Sequence, residues 1–372
     1  MDPLDVVVVG AGAAGIGISA MLIELGLERM IILERKTIGA SFKKWPKEMK
    51  LITPSFTTNF FGHLDLNATV SGTSPAYSHQ KEHLSGKEYA EYLETVAGYY
   101  NMPIVENVNV KRMTKKDGIF QLHFKDGKDP LETKNVIWAA GEFQYPEMDV
   151  FPGSKLCKHN SKVSSWKRLK GEEFIILGGY ESGIDAAVNL SKLGKKVTVM
   201  DSKAPWKLAM TDPSLKLSPY TLERLREEKK NGRIKLLANT SVTEVCKEGD
   251  IYKIFSNKPK AIFSKTQPIL ATGFKSSLSM IEDLFDWHEE EAYALINEHD
   301  ESTKTPGLFL VGPQVRHENL IFCFIYKYRQ RFGVVANAIG QKLGLETSVL
   351  ENHRNEGLYL DDLSCCGQEC SC

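Results

Sequence analysis

Apolar residues fall along this chain in short runs, each closed by a glycine or a carboxylate. Val6 to Val9 is a β-branched run of four, the pattern of a strand buried in a parallel sheet. GAGAAG follows, and then ISAMLIEL predicts a small-residue helix that Gly26 stops at its C-cap. Ile31 to Leu33 predicts a second strand with Glu34 at its end. The same order returns later. Phe174 to Leu177 reads as a strand, GGYESG spans Gly178 to Gly183, and a helix runs through Leu193 to Gly194. Val197 to Met200 then reads as a strand ending at Asp201. The repetition predicts two related nucleotide-binding domains in an α/β chain. Between them, 85–100 reads as a helix and 104–138 as short strands turning at Asp126-Gly127. Beyond them come a charged helix over 219–230 and strands over 234–270 with a turn near Gly249-Asp250. A buried strand over 307–311 and a helix over 333–343 follow.

Composition narrows the partners. At roughly 150 residues per domain, 372 residues allow two or three domains. Basic and acidic side chains balance at 47 each, so no basic excess is present to meet a nucleic acid. No apolar run approaches the roughly 20 residues of a membrane span. MDPLDVVVVG carries no basic n-region, so no secretory signal is expected, and a cytoplasmic location is. Cys157, Cys246 and Cys323 are scattered singly, whereas Cys365, Cys366, Cys370 and Cys372 crowd the C-terminus. That spacing is not a disulfide framework, and it suits a reduced compartment.

The two glycine turns carry the chemistry. Gly10 makes the first turn, Gly12 lets a pyrophosphate approach the backbone, and Gly15 packs the helix on the strand. Ala13 and Ala14 open the helix, whose N-terminus faces the phosphates. Glu34 is placed to accept ribose hydroxyls, with Arg35 beside it. In the second turn Gly178 and Gly183 keep their places, Tyr180 replaces the middle glycine, and Glu181 and Ser182 open the helix. A plain turn without ligand is the alternative, and it is stronger at the second site because of Tyr180. Asp201 would bind ribose hydroxyls and repel a 2′-phosphate, favouring NADH, while Ser202 and Lys203 could hold that phosphate. NADH or NADPH stays open. No CxxC pair occurs, so a flavin-side disulfide relay has no obvious thiols. The four terminal cysteines could bind a soft metal ion such as Zn²⁺ or Cu⁺, exchange as a disulfide, or form a tail of no catalytic role.

Two further segments carry a family resemblance. AAGEFQYP, Ala139 to Pro146, precedes the second unit, and ILATGF, Ile269 to Phe274, follows it. The pair resembles the two ATG-type crossovers of two-dinucleotide flavoproteins. It looks most like the small bacterial flavin-containing-monooxygenase-like NAD(P)/FAD-dependent oxidoreductases. The resemblance implies two Rossmann-like domains: an FAD domain of 1–146 and 268–372, with an NAD(P)H domain of 147–267 inserted. It implies cofactor contacts at Ala140, Gly141, Thr272 and Gly273 in the crossovers and at Gly312 after the late FAD strand. Ser41, Phe42 and Trp45 belong to the Ser41 to Phe56 segment that resembles the chain running along the flavin. Asn59 resembles the family's catalytic asparagine over the isoalloxazine. Phe151, Gly153 and His159 approximate the FxGxxxH fingerprint, and Pro313 stands where disulfide reductases carry an aspartate. His317, Glu318 and Asn319 border the flavin or form a solvated loop. The implied function is reduction of FAD by NADPH or NADH. Oxygen then forms a C4a-hydroperoxyflavin that oxygenates a soft sulfur or nitrogen nucleophile. The alternatives are a reductase of a small disulfide, quinone or metal ion, and a soft-metal-binding protein using the terminal cysteines. The expected partners are a small-molecule substrate and oxygen, with no nucleic acid and no membrane span. A homodimer is compatible with the sequence.

Overall fold

The computed structural model describes residues 2–56, 63–208 and 212–364. Asn59 and the four terminal cysteines lie outside them. The elements that position the candidate site follow in chain order: β1 (Leu4–Val9), α1 (Ala13–Glu24), β2 (Met30–Leu33), α2 (Gly86–Tyr99), β3 (Ile104–Val105), β4 (Val110–Lys116), β5 (Ile119–Phe124) and β6 (Leu131–Trp138). Then come β7 (Lys158–His159), β8 (Glu173–Leu177), α3 (Glu181–Lys192), β9 (Lys196–Met200), α4 (Pro219–Lys229) and β10 (Ile234–Leu237). The last are β11 (Val242–Glu248), β12 (Ile251–Ser256), β13 (Ile262–Ser264), β14 (Ile269–Leu270), β15 (Leu308–Leu310) and α5 (Phe332–Leu343).

The described residues divide into two units. One lies within Met1–Lys43, Pro54–Glu142 and Ser276–Cys372, the other within Lys44–Thr53 and Phe143–Lys275. The first unit is built on a seven-stranded sheet ordered β3-β2-β1-β6-β5-β4, with β15 also on β6. β6 serves two neighbours on one side. Its first half pairs antiparallel with β5 and its second half parallel with β15. Val6 to Val8 of β1 are fully buried, as their β-branched run predicts. The helix α1 is buried from Ala13 to Leu22. Ser85 caps α2 in a reciprocal box with Glu88, two orphan amides being satisfied at once. Within 104–138 the β4–β5 turn falls at Asp117-Gly118, both at positive φ, and Asp126-Gly127 lies in the β5–β6 connection.

The second unit has a five-stranded all-parallel sheet, β10-β9-β8-β14-β7, and an antiparallel β11-β12-β13 ribbon. Its core packs Phe174, Ile176, Ile184, Val188, Val197 and Val199 around Trp166. The segment Lys44–Thr53 joins this unit because Glu48 accepts hydrogen bonds from Ser165 Oγ (2.6 Å) and Trp166 N–H (3.0 Å). Among the described residues no helix is long and apolar enough to cross a membrane.

Candidate dinucleotide sites

Each glycine turn is shaped by the strand that crosses in front of it. Gly10 has φ of +111°, and a Cβ there would lie 2.5 Å from the Ala139 carbonyl oxygen. Gly178 has φ of +104°, and its Cβ would lie 2.3 Å from the Ala271 carbonyl oxygen. Only glycine tolerates both the dihedral and the approach. Gly15 and Gly183 are equally obligatory. A methyl on either would stand 1.9 Å and 2.0 Å from the carbonyl oxygens of Gly10 and Gly178. The two crossovers, Ala139-Ala140-Gly141 and Ala271-Thr272-Gly273, therefore pass the two turns in the same way.

The carboxylate after the second strand closes each turn. Ala11 N–H donates to Glu34 Oε2 (3.0 Å) and Lys36 N–H to Oε1 (2.7 Å). Gly179 N–H donates to Asp201 Oδ2 (2.8 Å), and the Lys203 and Ala204 amides donate to Oδ1 (2.7 and 2.8 Å). Charge-assisted bonds of this kind fix the loop at the ribose end of a dinucleotide site. Arg35 is half-buried, and Ser202 and Lys203 are exposed beside Asp201.

The turns differ at the helix N-terminus. Gly12 precedes α1 in extended conformation, with nothing within 4 Å of its Cβ position, no side-chain cap and no acidic residue in the first turn. The amides at the helix start are left for an anion, helped by the helix dipole. Tyr180 takes the same place and nearly the same backbone, φ −82° and ψ −166° against −87° and −171° for Gly12. Its hydroxyl lies 3.0 Å from the carbonyl oxygens of both Ser214 and Lys216, so the side chain is drawn to that loop. Glu181 holds the loop's far end. Its carboxylate accepts from Ser218 N–H and from Thr221 Oγ1 (2.6 Å), at the start of α4. Burial pushes the Glu181 carboxyl above its usual range despite those bonds. Ser182 is half-buried in the first turn of α3. Trp206 packs so close to Gly179 that a Cβ there would fall 2.3 Å from its ring.

The crossover of the second unit is anchored from beneath. His159 Nε2–H donates to the Gly273 carbonyl oxygen (3.0 Å), and Nδ1 accepts from Ser161 N–H (3.2 Å). Burial pushes His159 below the usual imidazole value, so it is neutral near pH 7. Thr272 Oγ1 donates to the Glu147 carbonyl oxygen (2.8 Å). In the first unit Gly312, at φ of +111°, passes over the start of α1, where its Cβ would lie 3.2 Å from that of Ala14. Phe42 stacks edge-on against Tyr89 in the first unit, while Trp45 falls in the second. The Ser41 to Phe56 segment is thus shared between the units.

Cys157 and Cys246 are free thiols, and Cys323 is half-buried. Burial pushes Cys157 up to about 12, so at neutral pH it is a thiol and not a nucleophilic thiolate. Among the described residues no group of three or more His, Cys, Asp or Glu side chains is placed to hold a metal ion.

A parallel β-α-β unit with a glycine turn, an uncapped helix start and a carboxylate that closes the turn, occurring twice, defines a two-dinucleotide-fold oxidoreductase of the flavoprotein type. Residues 7–312 match the pyridine nucleotide-disulphide oxidoreductase family, and the chain belongs to it. An uncharacterized CzcO-like oxidoreductase of Geobacillus kaustophilus is 27% identical over 193 residues, 51% of this chain and 52% of that protein. The chain spans about half the length of the curated relatives it first matches. Among solved structures, bacillithiol disulfide reductase Bdr (YpdA) from Staphylococcus aureus superposes with a TM-score of 0.74 at 17% identity. That match covers 92% of this chain and 99% of the other. A flavin-containing monooxygenase from Stenotrophomonas maltophilia gives 0.71 at 16% identity, covering 92% and 100%. Both likenesses are of fold.

Proposed function

We propose that the protein is an NAD(P)H-dependent FAD oxidoreductase whose flavin passes electrons directly to a small acceptor. FAD occupies the first turn, with Gly12 to Gly15 at the pyrophosphate and Glu34 at the ribose. NADH or NADPH occupies the second, with Gly178 to Gly183 and Asp201. The observation that carries this reading is the one-to-one match of the two turns, each with its crossover carbonyl, its obligatory glycines and its closing carboxylate. Bound FAD supplies the two-electron chemistry, while the protein orients it and excludes water.

The acceptor we favour is oxygen, with oxygenation of a soft sulfur or nitrogen compound. The described cysteines support direct transfer, since Cys157 is a buried thiol and the three are widely separated in sequence. Asn59 is proposed beside the flavin on family resemblance. The second reading, reduction of a small disulfide, rests on the fold likeness to the bacillithiol disulfide reductase. Anaerobically reduced protein mixed with oxygen and a thioether separates the two. A sulfoxide formed at the expense of NAD(P)H supports oxygenation. Hydrogen peroxide alone, with rapid anaerobic turnover on a small disulfide, supports the reductase. Soft-metal binding by Cys365, Cys366, Cys370 and Cys372 is a separate proposal. It fails if metal binding is unchanged after truncation at Ser364.

A further inference from the structure

The carboxyl edge of the first sheet carries an imidazole held as an acid–base group would be. β15 runs parallel to β6, and β6 runs parallel to β1. The chain leaving β15 therefore emerges on the same edge as the GAGAAG turn leaving β1. This is the edge where open α/β sheets bind ligands. Gly312 crosses the first turn of α1 there, and a short hairpin of Arg316–His317 and Leu320–Ile321 follows. The start of α5 reaches the same place, since a Cβ on Gly17 of α1 would strike the Phe332 ring at 2.1 Å. The first residue of α5 thus packs against the second turn of α1.

Behind the hairpin lies a buried charge pair. Asp300 is fully buried, and Arg331, 1% exposed, donates to it through Nε (3.1 Å to each oxygen) and through a terminal nitrogen (2.8 Å). Arg331 also donates to the carbonyl oxygens of Leu360 (2.5 Å) and Glu298 (2.6 Å). Asp300 is held from its own backbone as well, because Leu310 N–H at the end of β15 donates to its carbonyl oxygen (2.9 Å). The second partner of the carboxylate is His317, whose Nε2 lies 2.6 Å from Oδ1. A carboxylate paired with a guanidinium accepts, so Nε2 carries the proton. The Phe322 ring packs edge-on against the imidazole. Nδ1 has no protein partner among the described residues, and the side chain is 15% exposed. The partial exposure leaves Nδ1 open to solvent or to a bound molecule. Here one nitrogen is fixed by a buried carboxylate and the other is open, the relation of a base to its orienting group.

We propose that His317 is the proton donor to the acceptor reduced at this edge, with Asp300 and Arg331 as positioning residues. The inference rests on the oxidoreductase reading above. Hydride transfer to a two-electron acceptor needs one proton: NAD(P)H, H⁺ and acceptor become NAD(P)⁺ and reduced acceptor. NAD(P)H is oxidised, its hydride pair ends on the acceptor, and the imidazolium Nδ1–H supplies the proton. The neutral ring keeps Nε2–H on Asp300 and regains a proton from water.

The test uses the FAD-loaded full chain. ¹⁵N-histidine NMR on the unaltered protein should show neutral His317 as the Nε2–H tautomer, and the Nδ1–H tautomer would overturn the proposal. In stopped flow, NAD(P)H should bleach the flavin of His317→Ala as in wild type. Reoxidation by oxygen should slow about 100-fold and recover in imidazole buffer, but not in salt of equal ionic strength. Reoxidation at the wild-type rate, or slowing that imidazole does not restore, would overturn it. If wild type itself is not bleached, the parent reading falls instead, and the tautomer still reports on His317.

Discussion

At position 12 the backbone before the helix carries no side chain and opens on empty space; at position 180 nearly the same backbone carries a tyrosine tied to a neighbouring loop. The rest of the two turns is alike, down to the crossover carbonyl that would lie 2.5 and 2.3 Å from a Cβ on each first glycine. The difference fits the two roles proposed for the sites. A glycine turn with an open helix end suits a cofactor held permanently by its pyrophosphate. A turn whose tyrosine and glutamate grip residues 214–221 couples the nucleotide site to a loop, as suits a donor that arrives and leaves. The helices behind the turns differ too. α1 buries no charged side chain, whereas α3 buries Asp185, paired with Arg224 of α4 at 2.9 Å.

The largest expected effect breaks the second site alone. Arg224→Ala leaves the Asp185 carboxylate buried and unpaired, a loss of about 3–5 kcal/mol. The second unit should melt early while the flavin stays bound, read by calorimetry alongside flavin fluorescence. Simultaneous loss of flavin would mean that the two sites are not separable. Next, Gly15→Ala and Gly183→Ala force the same methyl against the same carbonyl, an overpacking worth about 1–3 kcal/mol. The first should purify with depleted FAD. The second should keep FAD and weaken NAD(P)H binding about 10- to 100-fold, measured by flavin bleaching at increasing nucleotide.

Tyr180→Phe removes only the hydroxyl contact to Ser214 and Lys216, about 1 kcal/mol. Half-saturating NAD(P)H should rise about fivefold with FAD content unchanged. An unchanged titration would show that the loop does not depend on Tyr180. The smallest effect concerns the C-terminal end of α1, where Glu24 meets His353 Nε2 at 2.7 Å. That hydrogen bond raises the His353 pKa, with burial opposing it. Burial would raise Glu24, but hydrogen bonds from His353 and Tyr100 outweigh it and lower its pKa. The histidine's contribution is full below its unfolded value of about 6.5 and fades as pH rises through the higher folded value. The glutamate's is full above about 4.3 and fades as pH falls through its lowered folded value. His353→Gln should therefore lower the melting temperature by about 1–2 °C near pH 6 and by less at alkaline pH.

Much of this was legible in the sequence because glycines at fixed spacing between a strand and a helix report a turn that a crossing backbone approaches closely. Gly10, Gly15, Gly178 and Gly183, with Glu34 and Asp201, announce both turns without any knowledge of Ala139 or Ala271. Tyr180 was visible as a departure, but its direction depends on Ser214 and Lys216, more than thirty residues on. His317 was visible as a residue after the late strand, but its grouping with Asp300 and Arg331 was not. Its members come from a loop, a helix start and a hairpin, and no periodicity links them. Likewise the Lys44–Thr53 segment follows Glu48 into the second unit through two hydrogen bonds that no composition signal marks.

The most direct test of the two-site account is anaerobic stopped-flow mixing of the FAD-loaded protein with NADH and with NADPH, in wild type and in Gly183→Ala. The account predicts that wild type bleaches fully with one or both nucleotides and that Gly183→Ala, still yellow, bleaches only at far higher nucleotide. A wild type that holds FAD yet is not bleached by either nucleotide, or a Gly183→Ala protein bleached as readily as wild type, would contradict it.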